Sequence, residues 1–138
     1  MIQSYKIDSL KMDIKSLSKK TLDFTIKRVA EIIGIFLIIA SVLLFIALFS
    51  YSPEDPNFIF TENTSIKNSL GFKGSYISDL FFQSVGLISF LISFTIFFTG
   101  INLIKNKNFL IIIENIFFSI VYVILGSFFL YSIPRKLI

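Results

Sequence analysis

The chain of 138 residues has no cysteine, no histidine and no tryptophan. Without cysteine there is no disulfide, no thiolate metal site and no thiol nucleophile. Without histidine the usual general base and the commonest zinc ligand are missing as well. Charge is scarce: 16% of the residues are Asp, Glu, Lys or Arg, where soluble domains carry about 25%. No G-x-x-x-x-G-K-[ST] or G-x-G-x-x-G segment occurs, and Gly71-Phe72-Lys73-Gly74-Ser75 has the wrong spacing for a phosphate-binding loop. The residues therefore offer no catalytic constellation, no cofactor site and no metal site, and an enzyme embedded in the membrane has nothing to support it.

Apolar residues are what the chain has in abundance. They make up 54% of it, with a mean hydropathy of +0.81. A membrane-crossing helix needs roughly 20 apolar residues to pass roughly 30 Å of hydrocarbon. Three runs reach that length: Ile32–Pro53 (22 residues), Leu80–Ile104 (25) and Phe109–Ile133 (25, interrupted only by Glu114). Backbone amides in lipid must be paired within the segment, so these runs are helices. The expected fold is an all-α integral membrane protein with three transmembrane helices over 32–51, 80–104 and 109–133. A polar tail over 1–31 precedes the membrane domain of 32–138, and a loop over 54–79 joins the first two spans. The first run starts after 31 polar residues and exceeds the roughly 7–15 apolar residues of a signal peptide. It is expected to be retained.

Lysine and arginine set the orientation. The tail holds seven of them (Lys6, Lys11, Lys15, Lys19, Lys20, Lys27, Arg28) and the short second loop holds Lys105 and Lys107. Both segments are predicted on the cytoplasmic side of the membrane, and loop 54–79 outside. Arg135 and Lys136 run against that assignment but are outnumbered. The tail also contains the helical set Ile7, Leu10, Ile14 and Leu17, with Lys6, Lys11 and Lys15 elsewhere. This predicts a basic amphipathic helix lying on an anionic leaflet. Leu10, Met12 and Ile14 also alternate, which leaves a strand or an irregular segment open. The tail has no arginine cluster and no aromatic platform, so direct nucleic-acid binding is not expected.

Hydrophobic burial does not drive helices together in lipid; close approach through small residues does. In the first span Ala30, Gly34 and Ser41 share a face. In the second, Gly86, Ser89, Ser93 and Gly100 do, and in the third Ser119 and Gly126 stand seven apart. These are expected to be packing seams, within the chain or between copies. Glu114 lies five residues into its span, near the interface, and is expected to pair there with Lys105 or Lys107. A proton relay would require a second buried ionisable group, which the spans lack.

The segment leaving the first span reads Ser50-Tyr51-Ser52-Pro53-Glu54-Asp55-Pro56-Asn57. The approach to the second reads Asn68-Ser69-Leu70-Gly71-Phe72-Lys73-Gly74-Ser75-Tyr76-Ile77-Ser78-Asp79-Leu80-Phe81-Phe82. Proline ends the helix, Gly71 and Gly74 permit a tight return, and Ser75 and Asp79 are placed to cap the second helix. Pro53, Asp55, Pro56, Asn68, Gly71, Gly74, Asp79 and Phe82, in this order between spans, resemble the amino-terminal four-span membrane domain of the bacterial DNA translocase FtsK. Asn57, Ser75 and Ser78 replace the Ser, Ala and Ala usual there. The resemblance implies a membrane anchor and oligomerisation domain acting in cell division and chromosome segregation. It implies division-septum proteins, membrane lipids and further copies of the chain as partners, and DNA only through a carboxy-terminal motor absent from these residues. Three spans where that family has four further imply a truncated piece. The alternative is an unrelated small multi-span membrane subunit or transporter fragment.

Overall fold

A computed structural model describes residues 2–56 and 65–132, with side chains placed for 12–56, 65–129 and 132. Asn57 of the family pattern, Arg135 and Lys136, and the side chains of Lys6, Ile7, Leu10 and Lys11 lie outside the described set. Helix α1 covers Ile2–Phe49, 48 residues. At 1.5 Å per residue it is about 72 Å long, more than twice the ~30 Å hydrocarbon core. No proline or glycine precedes Gly34, so nothing interrupts the helix where the polar tail meets the apolar span. The tail is helical, as a direct continuation of the first span.

Helix α2, Gly71–Val85, begins well inside the segment expected to be loop. Asn68 starts it: its Oδ1 accepts from the Leu70 amide at 3.0 Å, its carbonyl from the Gly71 amide at 2.9 Å, and Gly71 takes a φ of +65°. At about 22 Å, α2 is too short to cross the membrane. Gly86, with φ +63°, ends it. A 3-10 turn over Gly86–Ile88 leads into α3, Ser89–Asn106. The span expected over 80–104 is thus two helices joined at Gly86. Lys107 closes α3 in the left-handed conformation, its amide bonding Leu103 O at 2.8 Å. Helix α4, Leu110–Ser132, follows. Among the described residues three segments are long and apolar enough to cross a membrane, 12–49, 71–106 and 110–129, and there is no strand.

α1 and α3 form the core, packed antiparallel. Gly34 lies opposite Gly100, Ser41 opposite Ser93, and Phe45 meets Phe90 and Phe94 edge to face at 5.8 and 5.4 Å between centroids. The buried stripe of α1 is Ala30, Gly34, Ser41, Leu44, Ala47 and Leu48; that of α3 is Ser89, Ser93, Thr99, Gly100 and Leu103. Most of these residues are small, which is how two helices gain contact where lipid is as apolar as leucine.

Candidate functional site: the α1–α2 cap

The polar chemistry gathers at the end where α1 stops and α2 begins. Both Asp55 carboxylate oxygens are used: Oδ1 accepts from the Lys67 amide and Oδ2 from the Asn68 amide, each at 2.8 Å. Asp55 is 4% exposed, so these charge-assisted bonds work largely out of water. They fix Asn68, which reaches across to the end of α1. Its Nδ2 donates to Ala47 O at 2.9 Å, with Ser50 O at 3.3 Å and Ser78 Oγ at 3.4 Å alongside. The last carbonyls of a helix have no partner of their own, and here a side chain 21 residues further on supplies one.

Gly74 makes this possible. A Cβ there would fall 2.2 Å from Asn68 Oδ1 and 2.5 Å from Leu70 Cβ, so any side chain would expel the Asn68 head. Ser75 is not the helix cap. It sits inside α2 and donates to Pro56 O at 2.8 Å, tying the buried Pro56 to α2. Asp79 is not at the positive end of the helix either. It lies two turns in and accepts from Tyr51 Oη at 3.3 Å and Gln83 Nε2 at 2.7 Å. Phe82 stacks on Tyr51 with centroids 4.4 Å apart. Pro53 is exposed, in the turn that follows α1. On the rim, Lys67 pairs with Glu54, whose carboxylate raises the Lys67 ammonium above its usual range, with Asp55 adding to the effect.

The structure therefore joins Asp55, Pro56, Asn68, Gly71, Gly74, Asp79 and Phe82 into one cap that closes the α1–α2 connection. With these residues arranged so, residues 26–136 match the family described as the 4TM region of DNA translocase FtsK/SpoIIIE. The chain belongs to that family. No curated protein and no solved structure matches it. The chain is thus a membrane domain of the FtsK/SpoIIIE type, and membership in that family sets aside an unrelated membrane subunit or transporter fragment.

The expected packing residues of this FtsK-type domain divide three ways. Gly34, Ser41, Ser93 and Gly100 form the α1–α3 seam. A Cβ on Gly100 would lie 2.7 Å from Gly34 O and 3.2 Å from Ile38 N, and one on Gly34 2.9 Å from Gly100 O. The obstacles are backbone atoms and cannot give way. Ser93 Oγ donates to Ser41 O at 2.9 Å across the same seam. Ser89 is buried but bonds Gly86 O within its own turn. Gly86 does not belong to the face predicted for it: it precedes α3, nothing lies within 4 Å of its would-be Cβ, and its role is the backbone turn. On α4, Gly126 meets the Ile88 side chain, 2.8 Å from its would-be Cβ, and Ser119 bonds Asn115 O in its own helix.

At the opposite end from the cap, Glu31 takes Arg28 at 2.7 Å and Lys107 at 2.6 Å. Lys107, then Arg28, hold the Glu31 carboxyl below its usual range. Lys107 is thereby committed to α1, and no ion pair among the described residues includes Glu114, which is exposed. The sequence reading also missed the polar contacts between α3 and α4: Asn115 Nδ2 to Thr99 Oγ1 at 2.7 Å and Tyr122 Oη with Thr95 Oγ1 at 3.0 Å. Thr95 and Thr99, one turn apart on an apolar helix, were the available signal.

Proposed function

We propose that this chain anchors a FtsK/SpoIIIE-type DNA translocase in the bacterial inner membrane, with its amino terminus in the cytoplasm. In this reading the domain gathers copies of the translocase at the division septum, in contact with septal proteins, and contributes to chromosome segregation without catalysis of its own. DNA contact belongs to the motor part of such translocases. Family membership over 26–136 supports the anchor role. The single structural observation that carries it is the cap, in which the family-pattern residues Asp55, Asn68 and Gly74 lock the outer connection into one shape. Glu31 and Lys107 meet at the other end, so the tail and the second loop share a side, as the charge distribution requires of a cytoplasmic face.

A fluorescent fusion of residues 1–138, or of a longer piece of the same protein, is expected to collect at midcell. A topology reporter placed between Thr61 and Asn68 is expected to be active only outside the cytoplasm. Uniform membrane fluorescence from both fusions would overturn the septal role, and cytoplasmic reporter activity would overturn the orientation.

A further inference from the structure

The cytoplasmic extension of α1 carries an apolar stripe that no described residue of the chain covers. From Ile7 the stripe runs Leu10, Ile14, Leu17, Thr21 and Phe24, with spacings of three and four in strict alternation. Such a narrow seam, repeating every 3.5 residues on average, is the coiled-coil pattern. In the described part, Ile14, Leu17 and Phe24 are 66%, 62% and 58% exposed. The stripe points away from α3. Thr21 and the buried Ala30 stand nine residues apart, roughly 180° around the helix. Leu22, Ile26 and Val29 fall outside this stripe, on the side nearer α3.

The same outer face continues into the membrane. After two successive steps of four, Phe24 to Arg28 to Ile32, it passes through Ile32, Ile35 and Ile39, which are 67%, 53% and 54% exposed. A doubled step of four is a stutter, which locally unwinds a supercoil without breaking the seam. Arg28 occupies this junction with its guanidinium 5.0 Å above the Phe24 ring and its charge on Glu31.

Two occupants suit an exposed apolar stripe flanked by lysines: a lipid surface or another helix. Continuity of α1 decides between them. Residues 2–31 prolong a membrane-crossing helix by about 45 Å with no glycine or proline at which to bend. A rod leaving the bilayer in line with its own span cannot lay its side on that bilayer. A second copy of the chain, fixed in the same membrane, presents an identical stripe at the same height and in the same direction.

We propose that the extension of α1 is a parallel zipper with a second copy of this chain, seamed by Ile14, Leu17, Thr21 and Phe24 and continued on the outer face of the first span. Isoleucine at one seam position and leucine at the other favours two strands. In this register no opposite-charge pair of described residues forms across the seam. The contact is apolar and does not weaken as salt is added, whereas adsorption to anionic lipid does. The proposal gives the gathering of copies under Proposed function a location, and it rests on that reading only for placing both extensions on one side of the membrane.

The absence of cysteine makes single-cysteine crosslinking in membranes a clean test on the full chain. Leu17→Cys and Phe24→Cys are expected to form disulfide-linked dimers, and Lys19→Cys, on the opposite face, is not. Adding Leu17→Lys to Phe24→Cys is expected to abolish the crosslink while helix content stays constant, since the Leu17 side chain is exposed. A fluorophore on Leu17→Cys should escape quenching by brominated lipids. Equal crosslinking at Leu17→Cys and Lys19→Cys, no crosslink at Leu17→Cys, or strong lipid quenching at position 17 would each overturn the zipper. Midcell localisation that survives Leu17→Lys would leave the anchor reading standing, and crosslinks that persist in a chain spread evenly round the envelope would sink the septal role alone.

Discussion

The α1–α3 pair and α4 lie in the same apolar chain, yet they are held by different physics. α1 and α3 touch backbone to backbone at Gly34 and Gly100 and exchange a buried hydrogen bond at Ser41 and Ser93. α4 reaches α3 through side-chain tips, Asn115 on Thr99 and Tyr122 on Thr95, and meets the turn before α3 where Gly126 lies under Ile88. Its Ile113, Phe117, Ile124 and Phe128 are all more than 60% exposed. Apolar character does not separate the two, because lipid rewards neither contact over the other. Small residues at matching heights do. The closely packed unit of the described residues is α1, α3 and the cap, with α4 laid against it.

The largest expected effect is at the glycine crossing. Gly100→Leu should push α1 and α3 apart and leave the domain unable to pack, and Gly100→Ala should cost about 1–3 kcal/mol through overpacking. Gly126→Ala on α4 need only shift the end of Ile88 and should cost under about 1 kcal/mol. Thermal unfolding in detergent, followed by helical signal, measures all three. Equal losses at Gly100 and Gly126 would erase the distinction between the two regions.

Next is the cap. Asp55→Ala leaves the Lys67 and Asn68 amides without their acceptor, and the loss should be about 2–3 kcal/mol, since bonds to a charged group are involved. Gly74→Ala should match or exceed it by displacing Asn68. Protease sensitivity of the 54–70 segment in inverted and right-side-out vesicles reports cap opening directly. An Asp55→Ala chain as resistant as the parent would show that the cap is held by something else.

Smaller effects follow. Ser93→Ala removes one interhelical bond and Tyr122→Phe another, each worth about 0.6 kcal/mol in membrane proteins. Ser93→Ala should lower the unfolding temperature, whereas Tyr122→Phe should loosen α4 locally, seen as faster amide exchange on that helix. The smallest effect is the pH dependence of the Glu31 clasp. Its carboxyl titrates below the usual range, so the stabilisation is complete above the ordinary carboxylate pKa and is lost as pH falls through the depressed value. Glu31→Gln should flatten this acid limb, compared with the parent by melting temperature against pH.

Much of the fold was legible from residue order alone. Apolar run length gives three membrane segments, because the bilayer has a fixed thickness. The alignment of Ala30, Gly34 and Ser41, and of Ser89, Ser93 and Gly100, marks the faces that became buried. The family pattern between the first two spans named the cap residues, though not their duties.

Other features needed three dimensions. Gly86 shares the helical spacing of Ser89 and Ser93, and only its positive φ shows that it ends one helix before the next begins. Ser75 and Asp79 look like capping residues at the start of a span, until Asn68 starts the helix earlier and moves both inside it. Lys107 lies nearer in sequence to Glu114, but the folding back of α3 along α1 brings it to Glu31.

The sequence by itself determined that this chain belongs in a membrane, how many of its segments can cross, and which residues are small enough for helices to meet. Those properties depend on composition and period, which are local. Tertiary structure alone decided that Asn68 would close α1, that Gly34 would meet Gly100, and that Glu31 would hold Lys107. Each of these unites residues far apart in the chain, and a hydrogen bond or a backbone contact is made only where two helices bring both partners to the same height.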